Sequence, residues 1–86
     1  MQADVQMRYF AGVAEAAGVR EEMVAVGDDT TVADLCLTVS QAHGPEFARM
    51  LSVSALLVDG KRAEGSALLP IRDGLAIDVL PPFAGG

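Results

Sequence analysis

The strongest constraint on the fold is a hydrophobic pattern whose period changes along the chain. Residues 4–10 alternate between apolar and polar side chains, as a strand with one buried face does. In residues 75–80, Leu75, Ile77 and Val79 alternate with Ala76, Asp78 and Leu80, which predicts a final strand. Residues 32–42 instead carry apolar side chains at helical spacing. That stripe consists of Val32, Leu35, Cys36, Val39 and Ala42. Because the whole chain has only 86 residues, these segments predict a single α+β domain.

Local signals place the helices within this pattern. The Ala-rich segment 12–17 runs into Gly18, which predicts a short helix with a glycine cap. Thr31 and Asp34 have the spacing of a capping box, so we expect the main helix to begin there. Gly44-Pro45 ends that helix, and Pro45 can open a shorter second one.

The remaining strands and turns follow from similar signals. Residues 21–26 predict a second strand, and the continuous apolar run 55–58 predicts a strand buried on both faces. Asp59-Gly60 is a hairpin turn signal, followed by a short polar strand over 61–64. Phe10 is expected to anchor the turn after the first strand. This order predicts one mixed sheet with one main helix packed across one face.

Composition narrows the functional classes. Hydrophobic residues make up 51% of the chain and the net charge is −6, with six scattered basic residues. Nucleic acid binding requires clustered cations, so we expect no nucleic acid partner. The lone Cys36 allows neither an intramolecular disulfide nor a zinc framework. No signal peptide or membrane-length apolar run is visible, so we expect a cytoplasmic protein without a membrane partner.

The last residues of the sequence predict where the chemistry lies. Gly85-Gly86 follows Pro81-Pro82, Phe83 and Ala84. Glycines bury no side chain, but they present a bare carboxylate on a narrow stem. The four residues after Pro82 can reach roughly 13–14 Å, enough to enter a partner's active site. We therefore divide the chain into a domain over residues 1–82 and a flexible tail over residues 83–86. The alternative is a frayed end without function.

Three stretches resemble the small subunit of molybdopterin synthase, in the sulfur-carrier branch of the ubiquitin-like β-grasp fold. The first is the element Tyr9 to Gly18, similar to an F-A-x-x-x-E-x-x-G pattern, and the second is the strand and turn 55–60. The third is the ending from Asp73 to Gly86, similar to D-G-D-x-V-x-x-x-P-P-x-x-G-G. Leu75 departs from that pattern, which has an acid there. The resemblance spans nearly the whole chain and implies a β-grasp fold.

The resemblance also implies a chemistry for the tail. Gly86 would be adenylated and then converted to a thiocarboxylate, with Gly85 and Ala84 as the narrow stem behind it. The activating partner would be a ubiquitin-activating-like adenylyltransferase, which uses ATP and a sulfur source. The acceptor partner would be the large subunit of molybdopterin synthase, where sulfur passes to a pterin precursor. The chain itself would bind no cofactor and hold no active site alone, because it lacks a phosphate loop and a ligand cluster.

Other residues receive structural roles or a docking role. The apolar group at the root of the tail is expected to dock partners, although Phe83 can alternatively fold back onto the sheet edge. This group consists of Leu80, Pro81, Pro82 and Phe83. Cys36 is expected in the core rather than as a sulfur carrier. His43 is placed near a helix C-terminus, while Glu15 and Lys61-Arg62 are expected to be solvated.

Two alternatives to the preferred function remain open. The first is a sulfur carrier for another pathway, such as cysteine or thiazole biosynthesis. The second is a ubiquitin-like interaction module without covalent chemistry.

Overall fold

The computed structural model describes residues 2–82, and these form a five-stranded mixed sheet with three helices. The strands are β1 (Gln2–Tyr9), β2 (Glu21–Gly27), β3 (Ala55–Val58), β4 (Lys61–Arg62) and β5 (Ala76–Leu80). The helices are α1 (Gly12–Ala17), α2 (Val32–His43) and α3 (Pro45–Ser52). Within the described range, no helix is both long and apolar enough to cross a membrane.

The strand order is β2-β1-β5-β3-β4, which places the first and last strands side by side in the middle of the sheet. β1 and β5 run parallel, with Met7 opposite Ile77, whereas the other neighbouring pairs are antiparallel. A parallel pair needs a long crossover, and the helices with β2 and the β3–β4 hairpin supply it. The predicted mixed sheet is confirmed.

The core lies between one face of the sheet and the helices. Alternate residues of β1 and β5 point into it, as the two-residue period predicts, and Phe47 of α3 is completely buried. The Tyr9 and Phe47 rings meet edge to face with centroids 5.2 Å apart. Burying apolar area of this kind is the main term that stabilises the fold. The buried core consists of Val5, Met7, Tyr9, Val13, Val26, Val32, Leu35, Val39, Phe47, Leu51, Leu56, Leu69, Leu75, Ile77 and Val79.

Several predicted boundaries are confirmed. Gly18 caps α1 in the left-handed region with φ 79°. Thr31 and Asp34 form both hydrogen bonds of the capping box at the start of α2, each 3.1 Å long. The Asp59-Gly60 turn has positive φ at both residues, 53° and 80°, as a tight hairpin requires.

The prediction that residues 55–58 are buried on both faces is wrong. Only Leu56 is buried, while Leu57 and Val58 are half-buried. The reason is that the helices cover one face of the sheet and β4 contributes only two residues beside β3. Ala42 is also exposed rather than part of the buried stripe.

Candidate functional site at the root of the C-terminal segment

The C-terminal segment leaves the domain from the middle of the sheet. β5 is held by β1 on one side and by β3 on the other, where Leu80 lies opposite Ala55. The ladder stops after Leu80 because Pro81 and Pro82 have no backbone N–H to donate. A central strand cannot slide or fray easily, so the point from which the chain departs is fixed.

The predicted docking residues have different environments. Leu80 is half-buried, Pro81 is buried within the domain, and Pro82 is exposed. Pro81 is therefore packed into the domain, and Pro82 provides the exposed surface just after β5. The docking assignment stays a prediction, because Phe83, Ala84, Gly85 and Gly86 lie outside the described residues.

Phe10 is a surface residue beside this exit point, and its backbone also holds the turn after β1, because its carbonyl accepts from the Val13 N–H at 3.1 Å. Its backbone N–H donates to the Val79 carbonyl at 3.2 Å, and its side chain is 42% exposed. The parallel pairing of β1 and β5 brings their carboxyl ends to the same end of the sheet, which explains why Phe10 lies close to the end of β5. The sequence element from Tyr9 to Gly18 includes Phe10, but the spacing of its residues does not show that the Phe10 side chain faces solvent.

A shallow hollow of about 670 Å³ adjoins Phe10. Its wall combines the ends of β1 and β2 with α1, and Arg8 and Arg20 line it together with Glu15 and Glu21. Arg20 and Glu15 are both exposed, and within residues 2–82 neither makes an ion pair. The surface near the end of β5 thus consists of the Phe10 ring and charged side chains of both signs.

An ion pair crosses the open face between the two central strands. Arg8 of β1 donates from Nε to Oδ1 of Asp78 at 2.5 Å and from Nη2 to Oδ2 at 3.0 Å. The hydrogen bond and the charge of Asp78 raise the pKa of Arg8 further above its usual value. A two-pronged contact of this kind fixes both side chains and holds the ends of β1 and β5 in register.

Cys36 does not have the environment of a sulfur nucleophile. The side chain is half-buried and packs against the core, and burial raises the pKa of the thiol. Reactive thiols instead sit in exposed, cationic surroundings that lower the pKa. Residues 2–82 also contain no group of three or more potential metal-binding side chains.

His43 has a structural role that sequence reasoning did not find. Its Nε2 lies 2.6 Å from Oε2 of Glu22, and the Tyr9 hydroxyl donates to the same oxygen at 2.5 Å. A carboxylate oxygen only accepts, so Nε2 must carry the proton. The three side chains bind the end of α2 to β1 and β2. Glu15 and Lys61-Arg62 are exposed, as expected.

Comparison with known proteins gives the family. The model of the ThiS family matches residues 7–86. The chain belongs to the ThiS family. This ThiS-family chain is 32% identical over 83 residues to the molybdopterin synthase sulfur carrier subunit of Homo sapiens, covering 95% of this chain and 93% of that one. It is 26% identical over 82 residues to the subunit of the same name from Chlamydomonas reinhardtii, covering 95% and 98%.

Solved structures agree with the family assignment. The crystal structure of SAMP1 from Haloferax volcanii superposes with a TM-score of 0.82 and 27% identity, covering 98% of this chain and all of that one. The ThiS-family chain therefore has the ubiquitin-like β-grasp fold. The resemblance inferred from the sequence is confirmed.

Proposed function

We propose that this ThiS-family chain is a sulfur carrier that acts as the small subunit of a molybdopterin synthase. The observation that carries the proposal is the likeness, over nearly the full length of both chains, to two subunits that bear this name. The fixed position at which the chain leaves β5 agrees with this proposal, because a sulfur carrier must present its C-terminus from a rigid domain. The proposed compartment is the cytoplasm, where an adenylating partner finds ATP.

The proposed chemistry proceeds in three balanced steps at Gly86. A carboxylate oxygen attacks the α-phosphate of ATP, which releases pyrophosphate and leaves an acyl-adenylate. A sulfide-level sulfur from the donor then attacks the carbonyl carbon, and AMP leaves to give the thiocarboxylate. In the synthase, the thiocarboxylate sulfur attacks a carbon of the pterin precursor and displaces an oxygen substituent from it, and water then hydrolyses the acyl–sulfur bond, which leaves a thiol on the pterin and returns the carboxylate. Two such transfers, from two loaded chains, supply the two sulfurs of the dithiolene. Each step takes place in a partner's site, so the chain acts as the sulfur-donor subunit and contributes no catalytic side chain.

The partners in this scheme must recognise the folded domain as well as its end. Phe10 is exposed and its N–H bonds to Val79 near the end of β5, where Leu80 is half-buried and Pro82 is exposed. We define Phe10, Leu80 and Pro82 as the root surface. Exposed aromatic side chains beside prolines are typical anchors of protein interfaces. The two proposed partners are the synthase large subunit and a ubiquitin-activating-like adenylyltransferase.

A single-turnover transfer tests the proposal. The thiocarboxylated chain is mixed with a molybdopterin synthase large subunit and the pterin precursor, and the dithiolene product is quantified. Full-length protein should transfer its sulfur and return to the carboxylate form. A chain lacking Gly86 should still bind the large subunit and transfer nothing. Product formation without Gly86 contradicts the proposal, and exclusive co-purification with a cysteine synthase favours the alternative pathway.

The structural likeness to SAMP1, a small archaeal modifier protein, supports a second candidate. The same Gly86 acyl-adenylate can be attacked by a lysine amine of another protein, which releases AMP and forms an amide. The chain would then be a covalent modifier. Cells expressing a tagged chain would contain conjugates that resist denaturation and reducing agents, and deletion of Gly86 would abolish them.

A further inference from the structure

Ala11 has a backbone conformation that normally belongs to glycine. The carbonyl of Phe10 accepts the N–H of Val13 at 3.1 Å, so residues 10–13 form a four-residue turn after β1. Ala11, the second residue of this turn, has φ 52° and ψ −127°. These angles match the second residue of a type II′ turn, where the positive φ strongly favours Gly, Asn or Asp. An alanine side chain at this position therefore strains the backbone.

The other positions with a positive φ have residues that suit it. Within residues 2–82, each of them is a glycine or an aspartate, namely Gly18, Gly44, Gly60, Gly74, Asp29 and Asp59. Glycine has no Cβ to collide with the backbone, and a short polar side chain tolerates this region because it can bond to the nearby backbone. Ala11 is thus the one described residue that places an alkyl side chain on a backbone with positive φ.

The domain itself gains little from the methyl group of Ala11. Ala11 is exposed and does not pack against the core, unlike Ala14, Ala16 and Ala17 of α1. It is also the N-cap residue of α1, where alanine is a poor choice because its side chain accepts no hydrogen bond from the first turn. Glycine would suit both the turn and the cap better, so the stability of the domain does not explain this alanine.

The position of this methyl group points to a partner. Ala11 lines the hollow beside Phe10, together with Ala14 of α1. The charged side chains of that lining are two arginines and two glutamates, so charge does not select what enters the hollow, and the fit to its apolar residues does. Only four residues follow Pro82, so a protein whose active site receives Gly86 comes within roughly 13–14 Å of the end of β5. Such a protein also meets Phe10 and the hollow next to it.

We propose that Ala11 is a specificity-determining residue, whose methyl group contacts an apolar side chain of the molybdopterin synthase large subunit in this hollow. The contact explains why alanine stands where glycine would make the free domain more stable. The inference rests on the proposed function, which supplies the partner, and adds a residue that the sulfur chemistry at Gly86 does not require. Replacing Ala11 by glycine should therefore change stability and partner binding in opposite directions.

Thermal unfolding of the full chain tests the strain without any partner. Ala11→Gly should raise the unfolding midpoint by about 4 °C or more, because the strain it relieves exceeds the extra freedom that glycine gives the unfolded chain. Ala11→Asn should not lower the midpoint, since asparagine also suits a positive φ. An unchanged or lower midpoint for Ala11→Gly overturns the inference, and this result does not depend on the proposed function.

Single-turnover sulfur transfer tests the contact. The thiocarboxylated parent and variants are titrated with a molybdopterin synthase large subunit in the presence of the pterin precursor. Ala11→Gly should raise the half-saturating concentration of the large subunit about fourfold, the effect of one buried methyl group, and leave the rate at saturation unchanged. Ala11→Asn should raise that concentration at least as much, because a polar side chain replaces the methyl group. A loss with glycine alone would show that backbone freedom matters, not the methyl contact, and overturns the inference.

Asp29→Gly is the matched control for these variants. Asp29 is also exposed at a positive φ, 62°, but it follows the end of β2 that lies opposite the hollow. Its variant should keep the half-saturating concentration of the parent. If the parent transfers sulfur and Ala11→Gly has the same half-saturating concentration, the inference is overturned while the proposed function stands. If the parent transfers no sulfur, the proposed function fails, and the partner named here fails with it.

Discussion

The backbone N–H of Phe10 donates to the carbonyl of Val79 at 3.2 Å, so an exposed aromatic side chain is fixed beside the strand that leads to Gly86. The contact depends on the parallel pairing of β1 with β5. This pairing places the Phe10 ring and the end of β5 at the same end of the sheet. The proposed root surface lies at this end of the sheet.

Phe10→Ala should weaken partner binding without unfolding the domain. An aromatic anchor at an interface is worth about 1–2 kcal/mol, which is about fivefold to thirtyfold in affinity. The measurement is the dissociation constant for a molybdopterin synthase large subunit by calorimetry. Leu68→Ala is the matched control, since Leu68 is 63% exposed and bridges to Thr31, beyond the opposite end of β2. An equal loss in both variants would rule out a specific root surface.

Stability should fall as the pH rises above about 10, the ordinary value for tyrosine. Burial and the hydrogen bond to Glu22 raise the pKa of Tyr9, so the folded chain keeps a proton that the unfolded chain loses. The unfolded state then binds fewer protons, and the free energy of unfolding decreases with pH. Tyr9 is the only tyrosine, so phenolate absorbance should appear together with unfolding. Phenolate formation in the folded protein near pH 10 would contradict this environment.

Tyr9→Phe isolates that contribution. The variant should lose about 1–2 kcal/mol at neutral pH, because Glu22 loses a hydrogen-bond donor. It should also have a smaller decline in stability at alkaline pH than the parent. The free energy of unfolding from urea titrations at several pH values checks both points, and identical alkaline slopes would contradict them.

Cys36→Ala should leave sulfur loading of the chain unchanged. The thiol lies half-buried against the core with a raised pKa, so it does not supply a nucleophile. Thiocarboxylate formation followed by intact mass gives the direct comparison. In the parent, an alkylating reagent should modify Cys36 much faster in denaturant than in buffer. Loss of loading in Cys36→Ala, with folding intact, would assign the thiol a role in the chemistry.

Thr31→Ala should destabilise the domain by about 1 kcal/mol, because the side chain accepts the Asp34 N–H at the start of α2. Thr38→Ala is the control, since Thr38 is exposed within the same helix and its hydroxyl donates only to the Asp34 carbonyl. Thermal unfolding measured by circular dichroism distinguishes them. A smaller loss for Thr31 than for Thr38 would contradict the role of the cap.

The elements of the fold were predictable where short-range physics decides them. The capping box at Thr31, the Gly18 cap and the Asp59-Gly60 turn each depend on residues within a few positions of one another. The alternation in β1 and β5 directly gave the side chains that face the core. The burial of residues 55–58 was mispredicted because a continuous apolar run does not reveal that one face of the sheet is open.

The surroundings of the candidate site could not be predicted, because they depend on residues distant in the sequence. The Arg8–Asp78 pair and the contact of Phe10 with Val79 both follow from the pairing of the first strand with the last. Likewise, Glu22 meets His43 only once α2 lies across the sheet. Gly85 and Gly86 were assigned a role from their residue type and position in the sequence, not from any contact.

Sulfur loading of Gly86 is tested most directly by the intact mass of the chain after incubation with ATP, a ubiquitin-activating-like adenylyltransferase and a sulfur source. We expect a mass gain equal to the exchange of one oxygen for sulfur, located at Gly86 by fragmentation and absent without ATP. An unchanged mass with an adenylyltransferase that loads a known carrier in parallel, or sulfur found on Cys36 instead, would show that Gly86 does not carry the sulfur.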